Sequence, residues 1–186
     1  GAQNCYQKEQ FSSNTAAISP YLLKSVGAKY TLIGHSDNRG EGDTDSMLKD
    51  KVRYALNNNL KVVFCIGENK KDKKNNQTLA VLKKQLTKVL EKKFNENNII
   101  VAYEPIWSIG TGKIPTANEL KKTTIHIKKV LKGIFKKNSL AVLYGGSVDG
   151  SNVEMFKEIR EIDGFLIGGA SKTSKKFIDI IKNYYR

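Results

Sequence analysis

An α/β fold of successive βα units is what this sequence predicts, and three observations predict it. Short β-rich runs alternate with amphipathic helical stretches along all 186 residues. Several of the runs are continuously apolar, as parallel strands covered on both faces must be. Each unusual polar residue then falls at the downstream end of one of those runs, where βα folds keep their chemistry.

Taken in order, Gly1–Asn4 reads as the tail of one strand. Lys29–Ile33, Lys61–Ile66, Ile99–Tyr103, Leu140–Tyr144 and Asp163–Ile167 read as five more. Leu79, Leu82, Leu86 and Val89 form one helical stripe, and Leu120, Thr124, Ile127, Leu131 and Ile134 form a second. Ser19-Pro20 places a cap before a first-turn proline, while Thr116–Glu119 and Ser151–Glu154 fit capping boxes. A last helix is predicted from about Ser171 to Lys182.

Six such units of about 30 residues fill the chain as a single domain over 1–186, with no linker and no internal repeat. A closed eight-unit barrel takes about 250 residues, so the length predicts a six-unit portion of one. A six-stranded doubly wound sheet fits the same rhythm, but no G-x-G-x-x-G follows the first strand.

The formal charge is +14, almost all of it lysine, with only four arginines. The lysines fall on the polar faces of predicted helices and lack the interleaved aromatics of a nucleic-acid surface. A solvated cationic surface that steers small anions, and no nucleic-acid partner, is the expectation, with a catalytically inactive barrel fragment whose basic surface binds polyanions as the alternative. Two cysteines and two histidines give neither a disulfide framework nor a zinc cluster, and Cys65 reads as packing. No run approaches the ~18 apolar residues that span a bilayer. The opening GAQNCYQKEQ has the character of neither a signal nor a transit peptide, so no membrane and a cytoplasmic location are expected.

Candidate chemistry sits at the strand ends. Glu104 follows IIVAY and precedes Pro105, whose ring restricts the glutamate's backbone. Trp107, Ile109 and Gly110 can cover it and raise its basicity by excluding water. Pro105 and the Gly110/Gly112 pair bound a segment able to move as a flap. His35 lies between Gly34 and Ser36 at a strand-to-helix junction, where a following turn would donate N–H groups to the ring and hold it neutral. A histidine that merely caps the turn is the alternative. A carboxylate base and a neutral acid on neighbouring rims fit proton transfer beside a carbonyl. Gly110, Ser147 and Gly168-Gly169 could present amides to a phosphate. Asp37, Arg39, Asp43 and Glu68 read as supporting or loop-anchoring charges, with Arg39 paired to Asp43 or Glu68. His126, inside a lysine-rich amphipathic helix, reads as structural.

Together AQNCY, ISP, LIGHS, CIGE, YEPIWSIGTG, YGGSV and DGFLIGGAS resemble the triosephosphate isomerase family, in its order and close to its spacing. YEPIWSIGTGK is the most specific of them. The resemblance implies a (β/α)8 barrel, seen here from the family's third strand to its eighth helix, so that the first two βα units and the lysine and asparagine they carry are expected to be absent. It implies an isomerase of triose phosphates acting in glycolysis and gluconeogenesis, with no cofactor and no metal. Glu104 is then the base and His35 the electrophile, a pairing for which this family is itself the standard illustration. Gly110, Ser147, Gly168 and Gly169 bind phosphate; Pro105, Trp107, Ile109 and Gly112 form the lid; Asn4, Ser36, Asp37 and Glu68 support the rim. A homodimer is implied as well. The chain departs from the family at 34-GHSDNR-39, where GHSERR is usual, and at 12-SSNTAA-17, where a subunit-bridging GAFTGE is usual.

Overall fold

The computed structural model describes residues 1–8, 14–136 and 140–186. The first two residues of the 12–17 loop and Lys137 of the 136-KK-137 pair lie outside the described residues.

Five strands form one parallel sheet in sequential order: β1 (Tyr30–Ile33), β2 (Lys61–Ile66), β3 (Ile99–Tyr103), β4 (Val142–Tyr144) and β5 (Gly164–Phe165). Sequential order with parallel pairing requires every connection to cross over in the same sense. This excludes the doubly wound alternative, in which strand order reverses. Six strands were expected, and the difference lies at Gly1–Asn4. That segment contributes a single bridge, in which the Ala2 N–H donates to Tyr30 O and Leu32 donates back to Ala2 O.

The last two strands are shorter than their apolar runs. The Asp163 carboxylate accepts the Val142 N–H and also pairs with Lys128 at 2.8 Å. A side chain thus takes a position in the ladder that backbone would otherwise fill.

The strands present alternate residues to two faces. On one face Phe64, Ile66, Val101, Tyr103, Val142 and Tyr144 join the main core beneath the helices. On the other, Val63, Cys65 and Ala102 form a smaller cluster with Leu32, Ile100, Leu143 and Leu166. Five of the six β2 residues are buried, as its continuously apolar sequence requires.

Among the described residues the helices are α1 (Pro20–Ser25) ahead of β1, α2 (Ser36–Gly40), α3 (Asp45–Asn57), α4 (Lys70–Lys74), α5 (Thr78–Val89) and α6 (Ala117–Phe135) between strands, and α7 (Ser174–Tyr184) after β5. Ser19 accepts the Leu22 N–H ahead of Pro20, and Thr116 with Glu119 closes a reciprocal capping box on α6. Helix α5 buries Leu82, Leu86 and Val89; α6 buries Leu120, Thr124, Ile127 and Leu131, and adds Thr123 and Phe135. His126 Nε2 lies 3.1 Å from Leu79 O and ties α6 to α5.

The box expected at Ser151–Glu154 does not form. Asp149 instead accepts from the Ser151 hydroxyl and from the Ser151 and Asn152 amides, and a 3-10 helix follows at Val153–Glu158. The last helix begins three residues later than expected, because a 3-10 turn at Gly169–Lys172 precedes it. No described helix is long and apolar enough to cross a membrane.

Candidate active site

Glu104 continues β3 by one residue, its N–H held by Ile66 O at 2.7 Å. Two glycines make room for it. A Cβ on Gly67 would overlap the carbonyl oxygen of Glu104, and one on Gly145 would stand 2.6 Å from its Cγ. The residue is only 4% exposed. Burial raises its pKa, opposed by His35, by the neighbouring Cys65 thiol and by Arg39. Burial pushes the Cys65 thiol well above its usual pKa, and its Sγ lies 4.0 Å from Val63 O within a small apolar cluster.

His35 is the N-cap of α2, and its Nδ1 accepts the Asp37 N–H at 3.2 Å. A ring nitrogen that accepts carries no proton, so the ring is the neutral tautomer with its hydrogen on Nε2. Asp37 Oδ2 lies 3.5 Å from the same nitrogen, but that side chain is 83% exposed and solvated. Nε2 faces Glu104 Oε1 across 3.7 Å, near enough to act on one molecule and too far for a hydrogen bond.

Two cavities meet here. One, of about 400 Å³, is lined by Asn4, His35, Asp37, Glu104, Ile109 and Gly168 among others. The other, of about 730 Å³, is lined by Ile109, Gly110, Ser147, Gly168, Gly169 and Lys176 among others. Ile109, Gly145 and Gly168 belong to both. The amides of Gly110, Gly168 and Gly169 donate to no described residue.

Ser147 lines the larger cavity. Its hydroxyl donates to Ser108 O at 2.6 Å and accepts the Gly112 N–H at 3.1 Å. Its own N–H donates to Ser108 Oγ, which also meets Tyr144 OH at 3.0 Å. Ser108 is fully buried. The Ser108–Tyr144–Ser147 knot pins the far end of the 105–112 segment. At the near end, Trp107 Nε1 donates to Glu68 Oε1 at 2.8 Å, and Tyr103 OH donates to the same carboxylate. Pro105 is buried beside Glu104.

Arg39 pairs with neither Asp43 nor Glu68. It donates to Gly34 O and Cys65 O, lies over the Phe64 ring and approaches Asp45 at 3.7 Å. Asp43 instead binds Lys51 at 2.6 Å, and Lys51 also donates to Asn4 Oδ1 at 3.1 Å. Lys51 is 3% exposed. In a chain so rich in surface lysine nothing in the sequence distinguished it, yet it fixes the Asn4 side chain at the cavity rim. Ser36 opens α2 beside His35. Among the described residues no group of three or more His, Cys, Asp or Glu is placed to hold a metal.

Residues 1–184 match the family described as triosephosphate isomerase. The chain is 41% identical to the triosephosphate isomerase of Saccharomyces cerevisiae over 98% of its own length and 75% of the yeast protein. It is 36% identical to that of Thermodesulfovibrio yellowstonii and 39% identical to that of Yarrowia lipolytica, each over 97% of this chain and 74% of the relative. These findings correct the expectation of a six-unit portion lacking the family's first two units. The match runs through 1–184, and the fold is assigned on it as the α/β barrel of the matching family.

Proposed function

The chain belongs to the triosephosphate isomerase family, it interconverts dihydroxyacetone phosphate and D-glyceraldehyde 3-phosphate, and we propose that Glu104 and His35 carry that reaction. The observation that carries the reading is the pairing of a buried carboxylate with a histidine whose Nδ1 accepts a backbone amide. The Glu104 carboxylate removes the proton from the carbon beside the carbonyl and returns it to the neighbouring carbon. His35 donates its Nε2 hydrogen bond to the oxygen on which charge develops, and a neutral imidazole does so without becoming a competing anion sink. This division of labour is the one for which the family is the standard illustration.

The phosphate group lies against the amides of Gly110, Gly168 and Gly169, with Lys176 as the nearby cation. Ser147 acts mainly on the lid, through Gly112 and Ser108. Pro105, Trp107, Ile109 and Gly112 form that lid, and Ile109 covers the join of the two cavities. Closure excludes water from the enediolate and prevents loss of phosphate. Asn4, Ser36, Asp37 and Glu68 hold the rim and the lid root.

A coupled isomerase assay on Glu104→Gln tests the assignment. General-base contributions of about 10²- to 10⁴-fold set the expected fall in kcat, and near-normal turnover would remove Glu104 from the mechanism. The protein is further read as a cytoplasmic homodimer that binds no nucleic acid. Sedimentation at micromolar concentration, cell fractionation and an oligonucleotide shift assay check those three points. A monomer, a membrane-bound fraction or a shifted oligonucleotide would each reject the corresponding one.

A further inference from the structure

The lid has a second face. Ile109, Gly110 and Gly112 line the catalytic cavities, whereas Ile106, Trp107, Thr111 and Lys113 turn to a separate hollow of about 470 Å³ against α4. That volume is in the range of about 300 to 1,000 Å³ usual for small-molecule sites. Its floor is the Trp107 indole and Ile106, the latter 39% exposed. Its rim is cationic. Lys70, Lys73 and Lys74 occupy positions i, i+3 and i+4 of α4 and so share one face, and Lys113 lines the same hollow.

The four lysines are not equivalent. Lys73 is committed to structure, since its ammonium pairs with Glu119 at 2.5 Å and lies 5.2 Å over the Trp107 ring. Lys70, Lys74 and Lys113 make no ion pair with any described residue. Three uncompensated cations around an indole and an isoleucine select an anion with a flat apolar body. Inorganic phosphate would leave the apolar floor unused, and a neutral aromatic would leave the lysines unused.

We propose that this hollow is a nucleotide site, with the base against Trp107 and Ile106 and the phosphates among Lys70, Lys74 and Lys113. The ligand would rest on the outer side of the lid root, apart from Glu104 and His35, so the inference stands independently of the catalytic assignment.

Trp107 is the sole tryptophan of the chain, and its fluorescence reports this site directly. ATP is titrated against the full chain, with corrections for inner-filter absorption, beside separate titrations of tripolyphosphate, adenosine and a single-stranded oligonucleotide. Saturable quenching by ATP is expected, with tripolyphosphate and adenosine each binding more weakly. The double variant Lys70→Gln/Lys74→Gln should bind ATP about tenfold more weakly, the loss of two exposed charge pairs, while its isomerase kcat and its circular dichroism stay unchanged. Glu104→Gln should bind ATP as the parent does. Absence of ATP quenching, or equal ATP affinity in the double-lysine variant, would overturn the site. Tripolyphosphate binding as tightly as ATP would reduce it to a plain anion patch. Tighter, length-dependent oligonucleotide binding would replace it with a nucleic-acid surface.

Discussion

At the scale of single residues, the base depends on neighbours that touch no substrate. The Cys65 thiol, held protonated by burial, lies beside Glu104 and opposes the rise in its pKa. Cys65→Ala removes that thiol, so the Glu104 pKa should rise further. The acid limb of kcat/KM then moves to higher pH while the plateau changes little; an unmoved limb would deny the thiol this role. Burial also gives Glu104 a sign in stability. Its folded pKa lies above the unfolded value, so the folded state binds the proton more tightly and loses stability as pH rises through that interval. Glu104→Gln is therefore expected to be more stable than the parent at pH 7, with the advantage vanishing below about pH 4, where both states of the parent are protonated. Urea denaturation at the two pH values measures it. Glu104 and His35 were legible in the sequence because each stands at the end of an apolar run, Glu104 before a restricting proline and His35 after a glycine at a strand-to-helix junction. Cys65 was not, since a thiol within an apolar strand reads as a hydrophobe and only the folded register brings it beside Glu104. Lys51 was hidden for the opposite reason, as one more lysine until Asp43 and Asn4 close around it.

The elements divide by how local their determinants are. Strands β2 and β3 have the bounds that their apolar runs predict, and the α6 capping box forms where four consecutive residues announce it. Helix α3 was passed over, although Leu48, Val52 and Ala55 make a buried stripe behind the Thr44 cap. Strand β4 was overestimated because Asp163, some twenty positions downstream, accepts the Val142 N–H where pairing begins, and β5 pairs only over Gly164–Phe165. The lid is the least local element. Ser108 and Ser147 are 39 positions apart, and no local pattern could show that the serine of YGGS ties down the serine of PIWS. Ser147→Ala frees the Gly112 amide and the Ser108 carbonyl. At about 1 to 1.5 kcal/mol for a lost hydrogen bond, kcat/KM is expected to fall about tenfold and proteolysis within 105–113 to accelerate. An unchanged proteolytic rate would show that the knot does not hold the lid.

For the whole molecule the dominant quantity is charge. A formal +14, carried mostly by lysine, favours the approach of anions. Arrival of a doubly charged triose phosphate should be steered by it. Raising ionic strength from about 10 to 150 mM shortens the Debye length from about 30 to 8 Å, so kcat/KM is expected to fall several-fold while kcat holds nearly constant. A stopped-flow or coupled assay across that range checks it, and a flat kcat/KM would show that the field does not reach the substrate. This property was legible from composition alone, because net charge does not depend on the fold. Sheet order and the row of rings from Tyr103 through Tyr144, Phe156 and Phe165 to Tyr184 were not, since they exist only once distant segments are packed.

The two glycines that flank Glu104 set bounds on how this protein can diverge. Any side chain at Gly67 meets the glutamate's carbonyl, and any at Gly145 meets its side chain. Neither position accepts a side chain without moving the carboxylate, so these two neighbours offer no small step by which to retune the base. Change is left to the lysine-rich outer surfaces, which can vary without touching the carboxylate, and a new chemistry would have to begin by abandoning Glu104 altogether.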